Sequence, residues 1–403
     1  MKILVINTGS SSIKYELFDM DHCKILAGGL AEKIGEESSI LTHKRTLPNG
    51  ESEKNVDENT IADHYEGLNR IVGLLVDPEH GVIADKSEIS AVGHRVVHGG
   101  ETFHSTTIID EDVIAAIMEN IPLAPLHNPP NLMGIEVAGS IFPDAPQVAV
   151  FDTAFHQTIP SHAFLYAIPY EMYEQHKIRR YGFHGTSHAY VSEQAAEYLG
   201  RPLTELNLIT IHIGNGASMT AIKNGKSVDT SMGMTPLAGL VMGTRSGDID
   251  PALPFFMADH LGISLQEINR LLNKESGLKG LCGTNDMREV IENMKKGDKQ
   301  AAVALETYTY RIKKYIGAYF AALEVVDAVI FTAGVGEHAP LIREKSCQGL
   351  SRLGIEIDAV KNAVPGGGIR EISSSDSEVK VLVIPTNEEL EIARETQKAI
   401  ENV

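Results

Sequence analysis

Residues 1–19 read Met1-Lys-Ile-Leu-Val-Ile-Asn7-Thr8-Gly9-Ser10-Ser11-Ser12-Ile13-Lys14-Tyr15-Glu16-Leu17-Phe18-Asp19. Ile3 to Ile6 is an apolar, largely β-branched run, the pattern of a buried strand. Ile13, Tyr15 and Leu17 alternate with polar residues, which predicts a second strand. Between them lies Asn-Thr-Gly-Ser-Ser-Ser, small enough for backbone N–H groups to approach an anion. Lys14 follows within reach. A hairpin of this kind is suited to phosphates, although turn chemistry alone also favours these residues. It is not a Walker A loop, because G-x-x-x-x-G-K-[ST] opens a helix and this segment joins two strands.

Leu208-Ile-Thr-Ile-His212-Ile213-Gly214-Asn215-Gly216-Ala217-Ser218-Met219-Thr220-Ala221-Ile222 repeats the plan. An apolar strand enters a Gly/Asn/Ser turn and leaves as a second strand, closed by the turn dipeptide Asn224-Gly225. The spacing of about half a chain suggests two related domains rather than a solenoid. Two unrelated hairpins are the plain alternative. A third Gly-rich element, Thr332-Ala333-Gly334-Val335-Gly336-Glu337-His338, follows the strand-like Val325 to Phe331 and is read as a turn into a helix near Pro340 to Leu350. A strand, a Gly-x-Gly turn and a helix start make a nucleotide-contact site. The third glycine of a dinucleotide fingerprint is missing.

The 403 residues suffice for two domains, and 43% hydrophobic with 22% charged residues is ordinary globular composition. A net charge of −19 argues against coating nucleic acid. Cys23, Cys282 and Cys347 are scattered, with no disulfide or metal spacing. The N-terminus enters a strand at once and no run is long enough to span a bilayer, so the expectation is a cytoplasmic protein with no membrane partner.

The first domain is expected over residues 1–150, ending in Gln147 to Phe151, and the second over 151–386. A closing helix from Glu388 to Asn402 is expected to return to the first, which adds residues 387–403. Pro48 to Asn59 reads as a polar, mobile loop. Asp298 to Val326 reads as a core helix, and Pro365 to Gly368 and Ser373 to Ser375 as surface turns or flexible loop. The alternation of strands and helices makes the class α/β.

Arg95 follows the strand-like Ile89 to Val92 beside glycines, placed to clamp a carboxylate or phosphoryl group. His94, His98 and His104 match no zinc spacing. Asp152 stands just past a predicted strand, at the catalytic edge of an α/β sheet. His184 lies between glycines near a helix start expected at Ser187, a setting for neutral imidazole or an anion. His156 and His188 are better read as satisfied core residues. Arg245 lies on a Gly/Ser loop, and Asp286 and Arg288 precede a helix, where Asp286 can also be only an N-cap. Glu388, after the last strand, can hold a hard cation or be merely a first-turn acid.

With these residues in place, the whole chain resembles the acetate kinases of the acetate and sugar kinase/Hsc70/actin superfamily. The motifs that carry the resemblance are Asn7 to Lys14, His94-Arg-Val-Val-His-Gly-Gly100, Pro125-Leu-His-Asn-Pro-Pro-Asn131, Phe151-Asp-Thr-Ala-Phe-His156, Tyr181-Gly-Phe-His-Gly-Thr-Ser-His188, His212 to Gly216, Gly243-Thr-Arg-Ser-Gly-Asp248 and Pro385-Thr-Asn-Glu-Glu389. The resemblance implies two ribonuclease H-like, actin-like domains with a nucleotide cleft, the first on the acyl side and the second binding nucleotide. It also implies a reversible transfer of the ATP γ-phosphoryl group to acetate, giving acetyl phosphate and ADP, with Mg²⁺ or Mn²⁺, in a homodimer.

By the same resemblance Asn7 and Glu388 would take part in metal binding. Lys14, His212, Ile213, Gly214, Asn215, Gly216, Asp286, Met287, Arg288, Gly334, Val335, Gly336, Glu337 and His338 would contact the nucleotide. Arg95 would bind the carboxylate, Arg245 and His184 would stabilise the transferring group, and Asp152 is the presumed acid/base. Val97, Leu126, Phe183 and Pro236 would form the apolar pocket for the methyl group. The family motif that usually ends Gly-Glu-Asn ends here in His338, which bears on nucleotide preference. Acetate is already ionised at neutral pH and needs no base, so Asp152 is expected to orient Arg or His partners or to support the metal instead. A propionate or other short-chain acyl kinase is the alternative, and a non-catalytic nucleotide switch of the actin or Hsc70 kind is the alternative of a different class.

Overall fold

The computed structural model describes residues 1–47 and 49–402. The chain divides into two compact units, Met1–Ala154 with Asn387–Val403, and Phe155–Thr386.

The first unit is built on strands β1 (Lys2–Gly9), β2 (Ser12–Asp19), β3 (Lys24–Glu32), β4 (Ile40–Thr46), β5 (Ser52–Asp57), β6 (Ala91–Val96), β7 (Thr107–Ile108) and β8 (Gln147–Phe151). They form one sheet in the order β5-β4-β3-β2-β1-β6-β8-β7. Strands β1 to β5 run antiparallel, whereas β1, β6 and β8 are mutually parallel. β1 is covered on both faces, which is why its apolar run is continuous. Leu4 and Ile6 pack with Leu68 and Ile71 of the helix His64–Leu75 and with Ala138 of the helix Asn128–Ile141. Ile3 and Val5 pack with Ile392 and Ala393 of the helix Glu388–Glu401. Gly93 permits that packing, because a Cβ there would lie 2.4 Å from Thr396 Oγ1.

The second unit carries β9 (Asn207–Ile213), β10 (Ala217–Lys223), β11 (Lys226–Thr230), β12 (Ala328–Thr332), β13 (Arg370–Glu371) and β14 (Lys380–Val383), in the order β11-β10-β9-β12-β14-β13. β9, β12 and β14 are parallel and β9 to β11 antiparallel. The strand sequence β3-β2-β1-β6-β8 of the first unit is therefore matched by β11-β10-β9-β12-β14. The first two strands of each sheet form a hairpin, and the first of them lies at the centre of the sheet. The helix Lys299–Leu323, N-capped by Asp298, packs on β9 and β10.

Four local expectations are corrected. Within the segment expected as a mobile loop, Ser52–Asp57 is the edge strand β5, paired along its length with β4. Its residues are polar because an edge strand meets water, and charged edges discourage further pairing. Pro48, also placed in that loop, lies outside the described residues. Gly334 to Gly336 is not a turn: Ala333–His338 is itself a short helix, followed by Pro340–Cys347. The helix after Phe183 starts at Gly185, not Ser187. Ser373 is fully buried and bridges to Ile357 rather than lying in a surface turn.

Candidate functional site

In the first unit the carboxylate end of the sheet gathers a charged cluster. Arg95, one residue from the end of β6, donates from Nη2 to Asp152, the residue after β8. Its Nε lies 4.0 Å from Glu388 Oε2. Burial works against the Arg95 charge, but the Asp152 and Glu388 carboxylates more than offset it, so its pKa stays raised. Glu388 is the first residue of its helix, and Asn387 caps that helix by accepting from the Leu390 N–H at 3.0 Å. Burial, reinforced by Asp152 and Glu389, pushes the Glu388 carboxyl well above the usual range despite Arg95 and Lys14. The neighbouring Glu389 is ion-paired with Lys14 on β2. Asn7 stands on β1 directly opposite Lys14 in the hairpin register.

Among the described residues there is no ready cage of three or more His, Cys, Asp or Glu side chains for a metal. The donor chemistry nonetheless fits a magnesium-like ion. Such an ion keeps most of its water and needs only one or two carboxylates beside substrate phosphates. Asn7 and Glu388 supply hard oxygen donors, and a cation beside Glu388 would favour the ionised carboxylate that burial opposes.

Two asparagines, quoted in a motif but given no role from sequence, shape the loop after β6. Asn131 accepts from the Val97 N–H at 3.1 Å and donates to the Thr8 carbonyl at 3.0 Å, tying β6 to the end of β1. Asn128 accepts from the His98 N–H and donates to the carbonyls of His98 and Ile117. Val97 is buried by this arrangement, whereas Leu126 is 63% exposed. No local pattern in the sequence marks these pairings, whose partners lie 34 and 30 residues away.

In the second unit His184 caps the helix Gly185–Leu199 from a left-handed conformation, φ 58°. A non-glycine residue held there is strained by about 1–2 kcal/mol, a cost met typically at functional sites. Its ring stacks on His212 at 4.2 Å and its Nδ1 meets Ser218 Oγ at 2.9 Å. His212 Nδ1 is in turn bonded to Ser187 Oγ at 2.8 Å. Gly216 closes the β9–β10 turn against this stack. The point where a Gly216 Cβ would stand is 3.5 Å from His184 Nε2 and 3.5 Å from Arg245 Nη1. Arg245 donates to the Pro236 carbonyl at 3.3 Å and has no carboxylate partner among the described residues; burial lowers its pKa. A half-buried cation, an imidazole and a bare glycine turn thus converge on one small space. It suits an oxyanion.

Beside the same turn lies a cavity of about 620 Å³, within the usual range for a bound cofactor. Gly214, Asn215, Asp286, Met287, Arg288, Gly334, Val335 and His338 line it, together with residues not anticipated from sequence, such as Asn285, Ile291, Lys295 and Pro340. His212, Ile213, Gly216, Gly336 and Glu337 are not part of its wall. Ile213 is buried in β9, and Glu337 Oε1 accepts from the Thr386 N–H at 3.3 Å. Asp286 is the helix N-cap, and Arg288 holds its carboxyl below the usual range while itself reaching into solvent. Arg343, fully buried, holds the carbonyls of Gly336 and Glu337 at 2.8 and 3.0 Å, so the short Gly-rich helix is rigidly seated. Phe183 is buried, and its carbonyl accepts from His156 Nε2 at 3.0 Å. His156 and His188 are core residues with satisfied nitrogens, as read from the sequence.

Comparison with known proteins agrees with this geometry. The chain is 58% identical over 406 residues to acetate kinase of Thermotoga maritima, covering 100% of both chains. It is 54% identical to that of Oleidesulfovibrio alaskensis over 98% of each. The crystal structure of Porphyromonas gingivalis acetate kinase superposes with a TM-score of 0.93 at 48% identity, covering 99% of each chain. A propionate kinase from Francisella tularensis superposes at 0.91 with 46% identity, over 98% of this chain and 99% of that one. The fold is the two-domain, actin-like ATPase fold of these enzymes. The sequence profile of the Acetokinase family matches residues 2–394, and the chain belongs to that family.

Proposed function

We propose that this chain is an acetate kinase, transferring the γ-phosphoryl group of ATP reversibly to acetate to give acetyl phosphate and ADP. Membership of the family implies ATP as co-substrate and a divalent metal; Mg²⁺ is the ion that suits the sparse oxygen donors at Asn7 and Glu388. The observation that carries the reading is the convergence of His184 Nε2 and Arg245 Nη1 on Gly216. Phosphoryl transfer spreads charge over the equatorial oxygens and asks the protein for position and countercharge, not for covalent chemistry. A half-buried arginine with no carboxylate partner among the described residues supplies that countercharge.

In this reading the cavity beside Gly214 and Asn215 takes the nucleotide, so the second unit is the nucleotide side. Arg95 in the first unit receives the carboxylate substrate through its planar fork, held in orientation by Asp152. In the same unit Val97 and Leu126 limit the acyl chain. The metal, when bound, neutralises phosphate charge. The bound acid enters as its anion, so no residue needs to remove a proton. A homodimer is proposed with it. The helices Leu253–Leu261 and Leu265–Lys274 expose Leu253, Phe255, Phe256, Leu261 and Leu265, an apolar face that a second copy would cover. Light scattering at micromolar concentration tests it, and a single monomer mass rejects it.

The likeness to the Francisella propionate kinase keeps a short-chain acyl kinase as the second reading. Acyl phosphate formation from ATP, Mg²⁺ and acetate, propionate or butyrate, trapped with hydroxylamine, decides between them. Turnover fastest on acetate is expected. Faster turnover on propionate transfers the assignment to the second reading, and no product from any acid rejects both in favour of a nucleotide switch.

A further inference from the structure

Behind His184 runs a chain of buried hydrogen bonds that the proposed chemistry does not use. Thr210 Oγ1 lies 2.7 Å from His188 Nδ1, His188 Nε2 lies 2.7 Å from Ser218 Oγ, and Ser218 Oγ lies 2.9 Å from His184 Nδ1. Thr210, His188 and Ser218 are all fully buried. Burial first, then the neighbouring His156 and His212, drive the His188 pKa well below its usual value. His188 is therefore a neutral imidazole with one N–H and one lone pair.

A neutral ring, with the buried Ser218 hydroxyl proton used within the chain, leaves two directions. In one, the Thr210 hydroxyl donates to His188 Nδ1, His188 Nε2–H donates to Ser218 Oγ, and the Ser218 hydroxyl donates to His184 Nδ1. Neutral His184 then carries its proton on Nε2, the nitrogen that lies 3.5 Å from the Gly216 Cβ position, level with Arg245 Nη1. In the other, every donor is reversed: His184 Nδ1–H donates to Ser218, and its Nε2 presents a lone pair toward the same space. An oxyanion there is held by the first arrangement and repelled by the second.

We propose that Ser218 is a positioning residue: backed by His188 and Thr210, its hydroxyl donates to His184 Nδ1 and fixes the Nε2–H tautomer that faces the phosphoryl group. The inference rests on the reading of His184 as a phosphoryl contact and adds how that contact is kept ready. Pre-set donors cost no reorganisation at the moment of reaction, which is the physical advantage of such a relay. The Ser218 side chain touches no substrate in this scheme. It acts through the imidazole.

Two measurements test it. Long-range ¹H–¹⁵N correlation spectra of the full chain with ring-labelled histidine, with and without ADP and Mg²⁺, report the tautomer of His184, its signals identified by loss in His184→Gln. An Nε2–H pattern is expected in both states, changing in Ser218→Ala. An Nδ1–H pattern in the wild-type protein overturns the proposal, and because it needs no variant of Ser218 it decides even if that variant fails to fold. In kinetics, Ser218→Ala should lower kcat by about tenfold, the worth of one well-placed hydrogen bond, with KM for acetate within about twofold. Ser218→Thr, which keeps the hydroxyl, should recover most of the loss. Unchanged kcat in Ser218→Ala overturns the proposal when His184→Gln is impaired. If His184→Gln itself turns over normally, the reading of His184 has failed instead, whatever the spectra show of the relay.

Discussion

The guanidinium of Arg95 is held by the buried carboxylate of Asp152, which follows the end of the adjacent parallel strand β8. A carboxylate spent on orienting an arginine is a poor candidate for moving protons. Asp152→Asn keeps the shape and removes the charge, so it should act as a weaker copy of Arg95→Ala. Both should raise KM for acetate, the second by roughly 10²-fold, as loss of a charge-assisted pair does. Steady-state kinetics check this. A loss of kcat at unchanged KM in Asp152→Asn would restore the acid/base role.

Arg245 should fail differently. It is half-buried, its hydrogen bonds run to the Pro236 carbonyl and to the Met242 sulfur at 3.9 Å, and it stands at the convergence on Gly216. An interaction realised as charge develops on the phosphoryl oxygens lowers kcat when removed. Arg245→Ala should lose roughly 10²–10³ in kcat, with a small change in KM for acetate. Equal, mild effects at Arg95 and Arg245 would defeat the division of labour.

Specificity is the gentler test. Val97 is buried, and its backbone is pinned through Asn131, so its two methyl groups cannot easily withdraw. Val97→Ala should raise the propionate-to-acetate ratio of kcat/KM by roughly tenfold, since a methylene is worth about 1–3 kcal/mol in an apolar pocket. An unchanged ratio would remove Val97 from the pocket.

Some of this was legible in the sequence for clear reasons. β1 shows a continuous apolar run because helices cover both its faces, and β2 alternates because its partner face is polar. The edge strand β5 was not legible, since Ser52-Glu-Lys-Asn-Val-Asp57 meets water and carries no apolar period. Arg95, Asp152 and Glu388 could each be singled out as charged residues at element ends. That they meet is a product of the parallel register of β6 and β8 and of the returning helix. Asn131 and Ser218 stayed invisible because their partners lie 34 and 30 residues away, at Val97 and His188, and no local pattern marks such pairs. The left-handed turn at His184 was hidden too, because its residue type gives no hint of a positive φ.

Glu16 offers a prediction about stability. It stands on β2 two residues from Lys14, and its Oε2 is buried without a hydrogen-bond partner. Burial first, then the Glu389 charge, push its carboxyl up to about 7, with Lys14 opposing. An acid whose pKa is higher folded than unfolded binds more protons in the native state between the two values. Stability therefore falls as pH rises from about 4.5 to about 7, and is flat above. The shift sets a ceiling of roughly 3 kcal/mol, which solvent access to the rest of the side chain reduces to the order of 1 kcal/mol. Glu16→Gln should remove that slope, leaving the protein more stable than wild type at pH 8 and little changed at pH 4.5. Urea unfolding at the two pH values measures the difference directly. A Glu16→Gln protein destabilised equally at both would mean that the carboxylate is compensated in the native state, and that Lys14 is shared between Glu16 and Glu389.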